Sequence, residues 1–147
     1  KIWLMWRALG DLGVERRVDH CVDMINYMAE RVDQMTDSHG RRCFVKVLPQ
    51  SYANLCFYLI PPSMRDELAP NPTIQDLTPD QVASISKVSP VVKDRMQRTG
   101  KGLIGFQPVN GYNNCWRMVV AGAKEYIMGE GEVDTLLADM LAAAEDL

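Results

Sequence analysis

Seven apolar residues, Val14, Val18, Cys21, Ile25, Met28, Val32 and Met35, follow one another in alternating steps of four and three. That spacing puts them on one stripe of a long helix. Glu15, Arg16, Arg17, Asp19, Asp23, Glu30, Arg31 and Asp33 fall between them and form a solvated face, where their charges serve solubility and local pairing. A helix of this kind is stable only when something covers its stripe, so the rest of the chain has to supply a layer for it to pack on. Gly10 and Gly13 predict a break between this helix and the opening segment, and Ser38-His39-Gly40 predicts its end.

The covering layer reads as strands. Cys43 to Leu48 and Asn54 to Ile60 are rich in β-branched and aromatic residues, are separated by Pro49-Gln50-Ser51-Tyr52, and are closed by Pro61-Pro62. Ala69 to Pro79, with Pro70, Asn71 and Pro72, predicts a surface loop and the most mobile part of the chain. Thr78-Pro79-Asp80 opens a helix expected to reach Arg98, with Pro90 kinking or dividing it and Gly100 and Gly102 beyond its end. Two further strands are expected at Leu103 to Phe106 and Cys115 to Ala121, with the hairpin signal Asn110-Gly111 in the loop Val109 to Asn114 between them. A closing helix from Gly131 or Glu132 to Asp146 would turn Val133, Leu136, Leu137, Met140, Leu141 and Ala144 inward. The order predicts an α+β fold, with helices packed on a mostly antiparallel sheet.

Charge and cysteine usage narrow the function classes. The 147 residues carry 16 basic and 19 acidic side chains, a net charge of −3. That balance argues against a nucleic-acid partner. No apolar run is long enough to cross a bilayer and no signal peptide opens the chain, which argues against a membrane partner. Cys21, Cys43, Cys56 and Cys115 contain no C-x-x-C pair, and three of them sit in apolar stretches. They read as core thiols of a reducing, cytoplasmic compartment, although their even number leaves disulfides open. The chain begins at Lys1 and runs directly into Ile2-Trp3-Leu4-Met5-Trp6, with Trp3 and Trp6 on one helix face and nothing before them to act as a cap. A segment of larger sequence is the expectation.

One residue carries a chemical question. Arg117 lies inside Cys115-Trp116-Arg117-Met118-Val119-Val120-Ala121, where alternation puts Cys115, Arg117 and Val119 on one face. A guanidinium among such neighbours needs a partner, because burying it unpaired is costly. An edge position or an internal salt bridge would satisfy it without any function. The functional reading is a fork that grips an anionic substrate group through two parallel hydrogen bonds. His20 falls on the polar side of its helix and diverges from Cys21 by about 100°, too far for a nucleophile–base pair. His39 and Cys43 have a conceivable metal spacing, but two ligands do not make a site. Neither a Gly-rich phosphate loop nor paired carboxylates nor G-x-S-x-G is present.

Longer motifs are more specific. Lys1-Ile-Trp-Leu-Met-Trp-Arg-Ala-Leu-Gly-Asp-Leu-Gly-Val-Glu-Arg-Arg-Val-Asp19, Asn54-Leu-Cys-Phe-Tyr-Leu-Ile-Pro-Pro-Ser-Met-Arg65, Lys87-Val-Ser-Pro-Val-Val-Lys-Asp-Arg-Met96, Ile104-Gly-Phe-Gln-Pro108 and Trp116-Arg-Met-Val-Val120 occur in order. Together they resemble the C-terminal part of the group II pyridoxal-phosphate-dependent decarboxylases, the cysteine sulfinate, aspartate and glutamate decarboxylase family. Glu145-Asp-Leu147 is similar to the family's end.

The resemblance implies the small C-terminal domain (14–147) of a fold-type I enzyme, with 1–13 ending a helix that links to a large cofactor-binding domain. It implies pyridoxal phosphate held by a lysine upstream of Lys1, a homodimer when full length, and no catalytic or cofactor-binding residue within this chain. The fragment alone would then be inactive. Arg117 matches the arginine that holds the distal acidic group of a small acidic amino-acid substrate. Such a grip would orient the scissile bond and favour acidic over aromatic substrates. Pro61 to Arg65 and Gly10 to Arg17 lean toward the cysteine sulfinate type. Cys115-Trp116 replaces the family's usual pair of phenylalanines, Asp66 to Ala83 is longer, and Ala121 to Glu132 diverges. A non-catalytic remnant, kept for dimerisation or binding, is the competing expectation.

Overall fold

Helix α1 spans Ile2–Gln34 and bends at Gly10, whose φ of 65° and ψ of 177° leave the helical region. Only beyond this bend does the apolar stripe find a partner. Cys21, Ile25, Met28 and Val32 are buried, whereas Val14 is half-buried and Val18 exposed. The expected inward stripe is therefore correct in phase but begins about two turns later, at Cys21. The first arm lies free of the sheet, with Trp3 66% and Leu4 65% exposed.

The structure, a computed structural model, describes residues 1–121 and 128–147. After α1 come β1 (Phe44–Lys46), β2 (Asn54–Leu59), the single turn α2 (Pro62–Arg65), α3 (Pro79–Ser86), α4 (Val88–Arg98), β3 (Phe106–Val109), β4 (Tyr112–Val119) and α5 (Glu130–Ala142). The strands form one antiparallel sheet in the order β1-β2-β4-β3, with Phe44 opposite Leu59, Cys56 opposite Arg117, and Phe106 opposite Trp116. The α+β reading thus holds. Of the divergent segment Ala121 to Glu132, residues 122–127 lie outside the described residues.

Alternation along the strands sorts the core into two layers. Phe44, Leu55, Phe57, Leu59, Trp116 and Val120 face α1, α4 and α5, and build the larger cluster with Ile25, Met28, Val92, Leu137 and Met140. Val45, Cys56, Tyr58, Ile60 and Cys115 face the other way, toward Ile85 of α3 and toward Ile74 and Leu77. Each fully buried aliphatic or aromatic side chain contributes about 1.5–3 kcal/mol. The larger cluster, which gathers the long helices, therefore dominates.

Several expected boundaries move, each for a local reason. The helix expected from Thr78 to Arg98 is two helices, α3 and α4, that meet at Lys87. Pro90 lacks the N–H that would bond Ser86, and its ring crowds that carbonyl, so the first helix stops at Ser86. Thr78 caps it as expected, accepting from the Gln81 N–H while the Thr78 N–H donates to Gln81 Oε1 at 2.9 Å. The loop Ala69 to Pro79 is less free than its prolines suggested. A 3-10 turn at Ile74–Asp76 caps itself through Thr73 and Asp76, and Ile74 and Leu77 anchor it in the second layer. The third strand starts at Phe106, not Leu103, because the turn is tighter than expected. Asn110 and Gly111 (φ 48° and 87°) close a two-residue hairpin, with Val109 paired to Tyr112. Pro108 is tolerated because β3 is an edge strand with a register irregularity between Gln107 and Val109.

Asp37 ties the end of α1 to the turn after β2. Its carboxylate accepts from the His39 N–H (2.9 Å), the Arg41 N–H (3.0 Å) and Arg41 Nε (2.9 Å). Buried Arg65 approaches it at 3.8 Å while donating to the Ile60 carbonyl at 3.0 Å. Burial would raise the carboxyl, but the two amides and the Arg41 guanidinium outweigh it and hold Asp37 below its ordinary 3.8. A depressed carboxylate stabilises the fold above its unfolded value, and that contribution is lost as pH falls through the folded one. Acid titration of thermal stability should therefore show a loss below pH 3.8 that is smaller in Asp37→Asn. In the larger core, Leu137→Ala should cost about 2–5 kcal/mol in urea unfolding.

Candidate substrate-group site

Arg117 lies near the far end of β4, and the alternation that buries Trp116 among the helices turns Arg117 to the opposite face. That second face is covered only in part. Cys115, two residues earlier, is fully buried beneath α3, while Arg117 is exposed and Val119 is 47% exposed. The cover stops between Cys115 and Arg117. The expectation of a guanidinium sunk in an apolar strand is corrected here: the strand is buried, but the arginine stands where its cover ends.

The edge position does not hold and no salt bridge is seen among the described residues, while the exposure of Arg117 is the ordinary one for an arginine. β4 is an inner strand, paired to β2 and to β3, so Arg117 is not an edge residue. Carboxylates pair with Arg31, Arg41, Arg42, Arg65, Arg95 and Arg98, and the Arg7 guanidinium lies over the Trp3 ring at 5.4 Å, while Arg16 and Arg17 on α1, like Arg117, have no ion pair among the described residues. The Arg117 guanidinium has no ion pair or hydrogen bond among the described residues. Its five N–H donors remain available to a planar anion.

The surroundings of Arg117 are small and uncharged. Cys56 stands directly across on β2. On the other side the Arg117 backbone N–H donates to the Gly105 carbonyl at 3.0 Å, continuing the Phe106–Trp116 register by one residue. Cys115 and Val119 are its same-face neighbours along the strand. No acidic residue occupies any of these four positions. Larger hollows lie elsewhere, one of about 330 Å³ between α3 and the β3–β4 turn, and an apolar one of about 300 Å³ where α1 meets Tyr52, Ala53 and Val120. Arg117 lines neither, so this chain presents a floor with a cation on it, not a closed pocket.

The remaining sequence candidates do not converge on this floor. His20 is half-buried on α1, and exposed His39 uses its backbone N–H on Asp37. The four cysteines are buried and free. Burial pushes the Cys115 thiol up to about 12, with neighbouring Cys56 adding to the effect, and burial likewise raises Cys43. Neither favours a thiolate nucleophile. No group of metal-ligand side chains occurs among the described residues.

The described lysines are held elsewhere. Lys1, Lys87 and Lys101 are exposed, Lys101 and Lys46 are ion-paired with Asp139 and Asp33, and Lys93 lies over the Phe106 ring. A lysine that forms a covalent link to an aldehyde cofactor needs a desolvated pocket, and none of these has one. Sequence reading missed Gly105 and Cys56 as the flanks of Arg117, because only strand register makes them neighbours. No described helix is long and apolar enough to cross a membrane.

No family model matches the chain. It is 34% identical over 147 residues to the cysteine sulfinic acid decarboxylase of Mus musculus, and 31% identical to an acidic amino acid decarboxylase of Bos taurus. The matches cover all of this chain but 26% and 25% of those relatives, so it spans about a quarter of their length. Among solved structures, mouse CSAD in its apo form superposes with a TM-score of 0.79 at 33% identity, covering 99% of this chain and 27% of that one. The Oryza sativa TDC bound to PLP and tryptamine shares the fold at a TM-score of 0.65 and 18% identity, over 97% of this chain and 25% of that one.

An exposed, unpaired arginine contributes little to stability. Arg117→Gln should unfold within about 0.5 kcal/mol of the parent in urea. Cys115, protonated and buried, should resist alkylation at pH 8 until denaturant is added.

Proposed function

From the homology of this chain to the C-terminal part of the group II pyridoxal-phosphate-dependent decarboxylases, we propose that it is the substrate-gripping small domain of a carboxy-lyase acting on a small acidic amino acid. The observation that carries the reading is the guanidinium of Arg117, without a partner among the described residues, on an inner strand at the point where the sheet loses its cover. A sulfinate or carboxylate presents two oxygens that match the guanidinium fork, and the pairing strengthens when a second surface excludes water. Holding the distal acid fixes the direction of the substrate's other end, which is where orientation governs rate.

The lysines described do not build a cofactor site, so in this reading pyridoxal phosphate is held by sequence outside the chain and supplies the electron sink for loss of carbon dioxide. This chain's own part is binding and orientation. The exposed arm of α1 supports the division of labour. Ile2 is 73%, Trp3 66%, Leu4 65% and Trp6 47% exposed, and residues 1–13 would pass these side chains to the cofactor-binding domain at the Gly10 bend. A homodimeric, cytoplasmic enzyme completes the proposal.

The test is turnover by the full-length protein with cysteine sulfinate, aspartate and glutamate. At least one should be decarboxylated, and Arg117→Ala should cut kcat/KM on the order of 30-fold or more. Near-normal turnover of the acidic substrates in that variant would refute the assignment. Inactivity toward all three in a protein that binds pyridoxal phosphate would favour a non-catalytic role.

A further inference from the structure

We infer that the bare backbone at Gly105 is the second wall of the acid-group site, admitting the side chain of an acidic amino acid alongside Arg117; this rests on the substrate-binding reading of Arg117. Gly105 lies directly opposite Arg117 across the β3–β4 ladder, linked by the 3.0 Å bond from the Arg117 N–H to its carbonyl. Directly opposed residues in an antiparallel pair project to the same face with their Cβ atoms about 4.5–5.5 Å apart. Any side chain at 105 would therefore stand beside the arginine stem, in the space a bidentate anion has to enter.

Nothing in the fold asks for glycine at this position. Gly10, Gly40, Gly100 and Gly111 have positive φ, which excuses them. A Cβ on Gly13 would come within 2.9 Å of Leu9, on Gly102 within 3.5 Å of Leu136 and Met96, and on Gly129 within 3.0 Å of Glu132. At Gly105 the φ is ordinary and an added Cβ meets nothing within 4 Å among the described residues. Gly131 shares that freedom, in the first turn of α5 beside a hollow whose cation, Lys101, is already paired with Asp139. A glycine next to a strand, costly for backbone entropy and unforced by packing among the described residues, leaves room for close approach by a group from outside the chain. Here that neighbour shares the face of an unpaired guanidinium, which selects an anionic guest. Cys56 on the opposite flank is small and buried, so the open side of Arg117 is the Gly105 side.

The discriminating experiment uses the full-length holoenzyme with Gly105→Ala, Gly105→Val and, in parallel, Arg117→Gln. Each is assayed for KM and kcat on cysteine sulfinate, aspartate and glutamate. Competitive inhibition by succinate, a dicarboxylate without an amine, reports acid-group binding separately from turnover. Thermal unfolding and oligomeric state are measured alongside. Methylene-sized changes in a packed site are worth about 10–200-fold. Gly105→Ala should raise KM and the succinate inhibition constant on the order of 10-fold, Gly105→Val should raise both further, and unfolding temperature and assembly should stay at parental values. If Arg117→Gln loses acid binding while Gly105→Val keeps it, the inference about Gly105 falls and the reading of Arg117 stands. If Arg117→Gln itself binds and turns over acidic substrates normally, both fall. Loss of folding or of assembly in Gly105→Ala would also overturn the inference, by making the glycine a packing requirement.

Discussion

The burial of Trp116 decides where Arg117 points. Strand side chains alternate strictly, so placing the indole among α1, α4 and α5 commits the next residue to the opposite face. A slip of one residue would put a guanidinium into the larger core and an indole into solvent, an exchange costing many kcal/mol in both directions. The edge-to-face contact of Trp116 with Phe106, with ring centroids 5.9 Å apart at 89°, reinforces the register on the β3 side. The chemistry on one face of the sheet is thus held in place by packing on the other.

The two faces differ in how completely they are covered, and the difference has a topological origin. The larger layer is supplied by long helices from both ends of the chain, α1 and α5, held together where Asp134 accepts from Tyr27 Oη at 3.0 Å and from Arg31 Nε at 2.6 Å. The smaller layer is supplied by α3 and the turn before it, tethered by Ile74, Leu77 and Ile85. This cover lies over Cys115 and leaves Arg117 and Val119 exposed. The structural kinship with mouse CSAD is to a segment about a quarter of that chain. That leaves room for a second surface to face this one.

Much of the fold was readable without coordinates because its signals are local. The four-and-three stripe specified α1 in type and phase, the Thr78-Pro79 start specified α3, and Asn110-Gly111 marked a hairpin, though not its two-residue length. Misreadings arose where a local signal was overridden or shared. Val18 belongs to the stripe but no sheet lies beneath it, so it stays exposed. The prolines at 70 and 72 predicted a free loop, yet two apolar residues that follow are enough to pin it. Leu103 has the composition of a strand residue and is 70% exposed before the strand begins.

Arg117 divides along the same line. Its residue type, its place in an apolar alternating run and its resemblance to a family's acid-binding arginine are properties of the chain as written. That β4 lies between β2 and β3, that Cys56 and Gly105 flank the arginine, and that no described carboxylate reaches it are long-range facts. Periodicity and turn chemistry act over a few residues and determine which elements form and which face of each is apolar. Strand order and the end of a covering layer depend on contacts between segments far apart in sequence, such as Cys56 and Arg117. Only the folded sheet decides them.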